Sequence, residues 1–150
     1  MRIPSPTPIA LLAALLLAGC GNPPQPPAAP QEQLLQRGDL DVRATVMQTS
    51  TLSQEIAARY GIERGDDVVM LMVGVRRGEA GASVAATVTA SATDLDGRRH
   101  AIAMRELHAG GVVDHVGTLR VALPTTLDFD IEIRPEGQPP LRMDFNRDFR

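Results

Sequence analysis

From Leu127 to Phe149 the chain alternates apolar and polar residues so regularly that a β-hairpin is the natural structure to satisfy it. Leu127, Phe129, Ile131 and Ile133 fall on one parity, and Asp128, Asp130, Glu132 and Arg134 on the other. Leu141, Met143, Phe145 and Phe149 alternate with Arg142, Asp144, Asn146 and Asp148, and Arg147 is the one charged residue of inward parity. Successive side chains of an extended chain point to opposite faces, so each run is a strand with one buried face. The loop Pro135–Pro140 joins them. Charge then constrains the register. Pairing Ile133 with Leu141 sets Glu132 opposite Arg142 and Asp130 opposite Asp144. Pairing Ile133 with Met143 sets Arg134 against Arg142 and Glu132 against Asp144, which is worse. The first register is predicted.

The earlier chain repeats the theme. Leu40, Val42, Ala44 and Val46 alternate with Asp39, Asp41, Arg43 and Thr45. Thr51 with Gln54 has the form of a capping box, Leu52, Ile56 and Tyr60 share a helical face, and Gly61 supplies a stop, which predicts a helix over 52–60. Further strands are expected at 68–75, 82–94, 98–106 and 112–122, with Asp96-Gly97 as a hairpin turn. The sum is an all-β chain of about seven strands with one short helix between the first two. The expected fold is a two-sheet antiparallel β-sandwich, immunoglobulin-like in general shape but lacking the disulfide and Trp of true immunoglobulin domains. In Val68–Val75 both parities are apolar, whereas an antiparallel strand ordinarily needs one buried face. The second face needs a cover. The helix is the nearest candidate and a partner protein the other, and if the helix serves, Ile56→Asp should unfold the domain.

The N-terminus carries a different signal. Met1-Arg2 precedes an apolar run, Ile9 to Ala18, of secretory type and too short to span a bilayer. It closes on Leu17-Ala18-Gly19-Cys20, which resembles the lipobox of bacterial lipoproteins. That resemblance implies a diacylated Cys20 as the first mature residue, so residues 1–19 read as a signal peptide. Gly21 stands where an Asp would favour inner-membrane retention, which makes the outer membrane the default site. Residues 20–33 read as the lipidated cysteine and a tether. Proline locks φ and removes donors, so Gly21–Gln33 is expected to join neither helix nor sheet. The folded domain is expected over 34–150.

Composition narrows the function classes. The chain has 15 Lys plus Arg against 18 Asp plus Glu, every one of the cations being arginine. A net charge of −3 suits a nucleic-acid binder poorly, so no nucleic-acid partner is expected. Cys20 is the sole cysteine, which excludes an intramolecular disulfide and a thiolate zinc cluster. Ser50, Ser53, Ser83 and Ser91 lie outside any Gly-x-Ser-x-Gly elbow, so no enzyme, catalytic residue or cofactor is expected. His100, His108 and His115 are the candidate metal ligands, with Asp114 beside the last. Their spacing matches neither strand nor helix pairs, so they read as loop or core histidines and no metal site is expected. Asp128, Asp130, Glu132, Asp144 and Asp148 could gather oxygens for calcium, but strand periodicity explains them as a solvated face. Every aromatic residue falls on a buried parity, which disfavours glycan platforms.

Val46 through Val75, with Thr51-Leu52, Ala57, Tyr60-Gly61-Ile62 and Arg64 before an apolar strand, resembles the bacterial domain of unknown function 4426. Leu127–Gly137 followed by Leu141–Phe145 agrees with it. The resemblance covers about residues 34–150 and implies an all-β domain of Gram-negative envelopes, with no activity or catalytic residues to carry over. The expectation is a non-catalytic envelope lipoprotein, a membrane-tethered sandwich facing the periplasm and acting through contact with an envelope protein. The alternative is a periplasmic ligand- or metal-binding module.

Overall fold

The computed structural model describes residues 31–150. The readings of 1–19, of Cys20 and of the chain up to Pro30 lie outside the described residues. Ten strands follow: β1 (Gln31–Arg37), β2 (Leu40–Gln48), β3 (Val68–Arg77), β4 (Ala82–Ser83), β5 (Ala86–Thr93), β6 (Arg99–Ile102), β7 (Arg105–Ala109), β8 (Val112–Arg120), β9 (Thr125–Pro135) and β10 (Leu141–Phe149). A 3-10 turn at Thr49–Thr51 and one helix, α1 (Gln54–Tyr60), separate β2 from β3. One sheet runs β1-β2-β3-β8-β7, with β4 pairing β3, and the other runs β10-β9-β5-β6. Their inner faces meet in one core, where Val42, Val46, Leu71 and Val73 from the first sheet join Phe129, Ile131 and Ile133 from the second. This is the expected antiparallel β-sandwich.

The last hairpin takes the predicted register. Leu141 pairs with Ile133, Arg142 with Glu132 and Asp144 with Asp130. On the inner face Phe129 and Phe145 stack with centroids 5.2 Å apart. Arg147, the inward exception, lays its guanidinium 4.9 Å from the Phe145 centroid and donates to Gln33 Oε1 at 3.2 Å. A cation over a ring face keeps its charge near solvent at the seam while its stem covers apolar surface. The contact also ties β10 to β1 across the two sheets.

Three expectations are corrected. Residues 31–33 do join a sheet, since β1 pairs with β2 from Gln31 to Arg37. The prolines stop at Pro30, so the donors needed for a ladder are present from Gln31 onward. The expected strands 82–94 and 98–106 each divide in two. The second breaks at Ala103-Met104, where the chain leaves the β5 side of the sandwich and crosses to the sheet of β8. The helix starts later than expected: Ser53, not Thr51, is its N-cap, its hydroxyl accepting from Ile56 N–H at 3.2 Å. Thr51 instead donates to the Gln48 carbonyl within the 3-10 turn.

The second face of β3 is buried at Val68 and Met70. Across the ladders Met72 faces Val116 and Val116 faces Arg105, so these three share that outer face. Arg105 donates to the Tyr60 carbonyl at the C-terminal end of α1, which holds the helix over this side of the sheet. Ala57 is the residue the helix buries, at 3% exposed, whereas Ile56 is 42% exposed. A methyl group lets a seven-residue helix lie close to the sheet. The expectation that Ile56→Asp unfolds the domain is therefore withdrawn.

Candidate binding site

Beyond the helix the same outer face stays open. Met72 and Gly74 line a groove of about 390 Å³ flanked by Asp41, Arg43, Arg76 and Asp114. Gly74 sits between Arg43 on β2 and Asp114 on β8 in the ladders. Its missing side chain has a use. A Cβ there would stand 2.8 Å from Asp114 Oδ1 and 3.3 Å from Arg76 Nη2. The Arg76–Asp114 ion pair thus lies across the strand in the space glycine leaves. Arg76 also donates through Nη1 to the carbonyls of Val113 at 2.9 Å and Val75 at 3.1 Å, which fixes the guanidinium plane. Arg43 is held by Glu32 at 2.6 Å. Positioned charges of both signs beside a thioether suit recognition of a polar chain segment. Thr45 is the one hydroxyl among the lining residues.

The sequence-expected residues are dispersed. His100 Nε2 lies 2.8 Å from Asp94 Oδ2 at the β5–β6 turn, and His108 Nε2 lies 3.1 Å from Glu106 Oε2 on β7. His115 points inward from β8, its Nε2 2.9 Å from the Ala86 carbonyl oxygen. Among the described residues no group of three or more His, Cys, Asp or Glu is placed to hold a metal. The Asp94 carboxylate is held below its ordinary value by the His100 hydrogen bond and by the backbone N–H groups of Arg98 and Asp96. Asp67 is likewise lowered by its hydrogen bond to Arg120, whose own pKa is raised by Asp67 and Glu63.

The carboxylates of β9 and β10 lie on the outer face of the second sheet. Asp130 pairs with Arg99 at 3.1 Å, and Glu132 with Arg134 at 2.5 Å and Arg142 at 3.5 Å. Asp148 accepts from the Thr126 hydroxyl at 2.8 Å. Ser83 Oγ accepts from the Val113 N–H at 3.0 Å. Tyr60-Gly61-Ile62 forms a helix stop, with Gly61 at φ 62° and the Ile62 N–H donating to the Ala57 carbonyl at 2.8 Å. Cys20 lies outside the described residues. The groove itself went unforeseen; its one sequence signal was a glycine, Gly74, inside an apolar strand.

The model of the family described as Domain of unknown function (DUF4426) matches residues 35–150. Among solved structures, a DUF4426 family protein from Pseudomonas aeruginosa PAO1 is 28% identical with a TM-score of 0.68, covering 79% of this chain and 94% of that one. FetP of uropathogenic E. coli strain F11 is 12% identical with a TM-score of 0.57, covering 81% of this chain and 95% of its own. A copper-bound variant of FetP is 10% identical, also with a TM-score of 0.57, over 80% and 95% of the two chains. At such identities FetP shares the fold alone. None of the curated proteins matches significantly. The family match begins within β1 and runs to the last residue of the sandwich, and the chain belongs to the DUF4426 family.

Proposed function

We propose that this chain is a non-catalytic envelope lipoprotein, held to a membrane through Cys20 and acting through protein–protein contact. The observation that carries the reading is Leu17-Ala18-Gly19-Cys20 at the end of a short apolar run, followed by prolines up to the residue before β1. With the sheet starting at Gln31, the tether shortens to Gly21–Pro30. Gly21 favours the outer membrane, with the domain facing the periplasm. The groove over Met72 and Gly74 is the surface offered to a partner.

In-cell photo-crosslinking tests the contact. A photoreactive residue at Glu79, on the rim of the groove, should give one discrete crosslinked envelope protein, while the same residue at Asp128 on the opposite sheet should not. Equal labelling from both faces would contradict the assignment of the surface.

The second reading, a periplasmic ligand- or metal-binding module, is favoured by the copper bound to a FetP variant on the same fold. A ligand that binds only the native state raises the melting temperature, so scans with copper, zinc and calcium test it. The absence of any shift would remove it.

A further inference from the structure

His115 projects from β8 into the sandwich, opposite Val73 in the ladder, and is 6% exposed. Its Nε2 faces the Ala86 carbonyl, which can only accept, so Nε2 carries the proton. In the neutral ring that assignment leaves Nδ1 as a bare lone pair. That atom is buried and has no hydrogen-bond partner among the described residues. Buried polar atoms are nearly always satisfied. A ring that donates one N–H to a backbone carbonyl and presents its other nitrogen bare has the arrangement of a metal-ligating histidine.

A second observation is independent of the ring. Gly117, two residues along the same inner face, has no side chain, and a Cβ there would stand 2.8 Å from Met104 Sδ. Same-face neighbours on a strand are about 7 Å apart, so the thioether and the imidazole border the same stretch of the inner surface. Met104 lies at the corner between β6 and β7. Strand β6 pairs only with Ala90–Thr93, so the Ala86–Thr89 edge of β5 has no β6 partner. Glu106 stands opposite His115 in the β7–β8 ladder, with its exposed carboxylate 3.1 Å from His108 Nε2.

We infer that His115 Nδ1 and Met104 Sδ form a site for one soft monovalent cation, Cu(I). Imidazole and thioether suit Cu(I) and do not suit calcium or magnesium. A closed-shell d10 ion accepts two ligands, so the site needs no cluster of three carboxylates or histidines. This rests on the metal-binding reading and gives it residues and an oxidation state.

The test uses the full chain in detergent as Cys20→Ser, so that no unacylated thiol competes. Cu(I), kept reduced with ascorbate, is titrated against a chromophoric Cu(I) chelator. The parent should bind one equivalent. His115→Gln keeps an amide donor for Ala86 but loses Nδ1, and Met104→Leu keeps the volume of the corner. Each should weaken binding by about tenfold or more, while Met47→Leu should leave it unchanged. In the parent, Ag(I) as a redox-inert probe should shift the Met104 methyl and His115 Nδ1 resonances. Undiminished affinity in both variants, or unmoved resonances with the cation bound, would overturn the site while leaving the metal-binding reading. Failure of the parent to retain Cu(I) or Ag(I) would overturn the site and the Cu(I) form of that reading; a shift with zinc or calcium would still keep the broader module alive.

Discussion

Asp130 and Asp144 face each other directly across the β9–β10 ladder, on the exposed side of the second sheet. Arg99 offsets Asp130 at 3.1 Å, and no arginine among the described residues pairs with Asp144. The inner face dictates this arrangement, because the same register stacks Phe129 on Phe145 and sets Arg142 by Glu132. Facing like charges destabilise a ladder by a few tenths to about 1 kcal/mol. Asp144→Asn should therefore raise stability by that amount, seen as a higher urea midpoint at unchanged slope. A lower midpoint would contradict the reading.

The helix offers a paired test. Ala57→Asp places a carboxylate where the helix meets the sheet and should cost about 2 kcal/mol or more. Ile56→Asp, on a half-open position, should stay within about 1 kcal/mol of the parent. Thermal melts of the two variants compare them directly, and the reverse order would mean that α1 turns another face to the sheet.

Gly117 marks a close approach. A Cβ would meet Ile102 Cγ2 at 2.6 Å and the Ala103 carbonyl oxygen at 2.9 Å, besides Met104. The backbone contact cannot rotate away, so Gly117→Ala should cost about 1–3 kcal/mol through displacement of the β6–β7 corner. Gly74→Ala meets only the ends of the Asp114 and Arg76 side chains and should cost less. Denaturant midpoints rank the two.

Acid should act through Asp94. Its pKa is lowered from 3.8 chiefly by His100, then by two backbone N–H groups. A carboxylate whose pKa is depressed by folding contributes stability that is present above its unfolded value and lost as pH falls through its folded value. Asp94→Asn keeps an acceptor for the turn but loses the charge. The variant should be less stable than the parent at neutral pH, with the gap closing once the pH drops below the ordinary carboxylate range. Urea midpoints across that range measure it, and a gap independent of pH would exclude the charge as its source.

Legibility followed the physics of each element. The β9–β10 hairpin was readable to the residue because alternation, charge and loop all act locally. Strand β1 was not, because an edge strand such as Gln31–Arg37 is mostly solvated and has little apolar period to read. The switch of sheets at Met104 leaves parity intact on both sides, so alternation does not reveal it. Thr51, Ser53 and Gln54 all offer capping chemistry within four residues, and only packing chooses among them. The groove escaped for a further reason: Arg76 meets Asp114 from 38 residues away, over a glycine whose role depends on both.

The central claim is the lipid anchor, and the mass of the processed N-terminal peptide tests it most directly. Expressed in a Gram-negative host with its own leader, the mature protein should begin at Cys20 and carry a diacylglyceryl group on the thiol, and Cys20→Ser should abolish both processing and fatty-acid labelling. A mature chain that begins elsewhere, a free Cys20 thiol, or a Cys20→Ser protein that still takes up label would contradict the account.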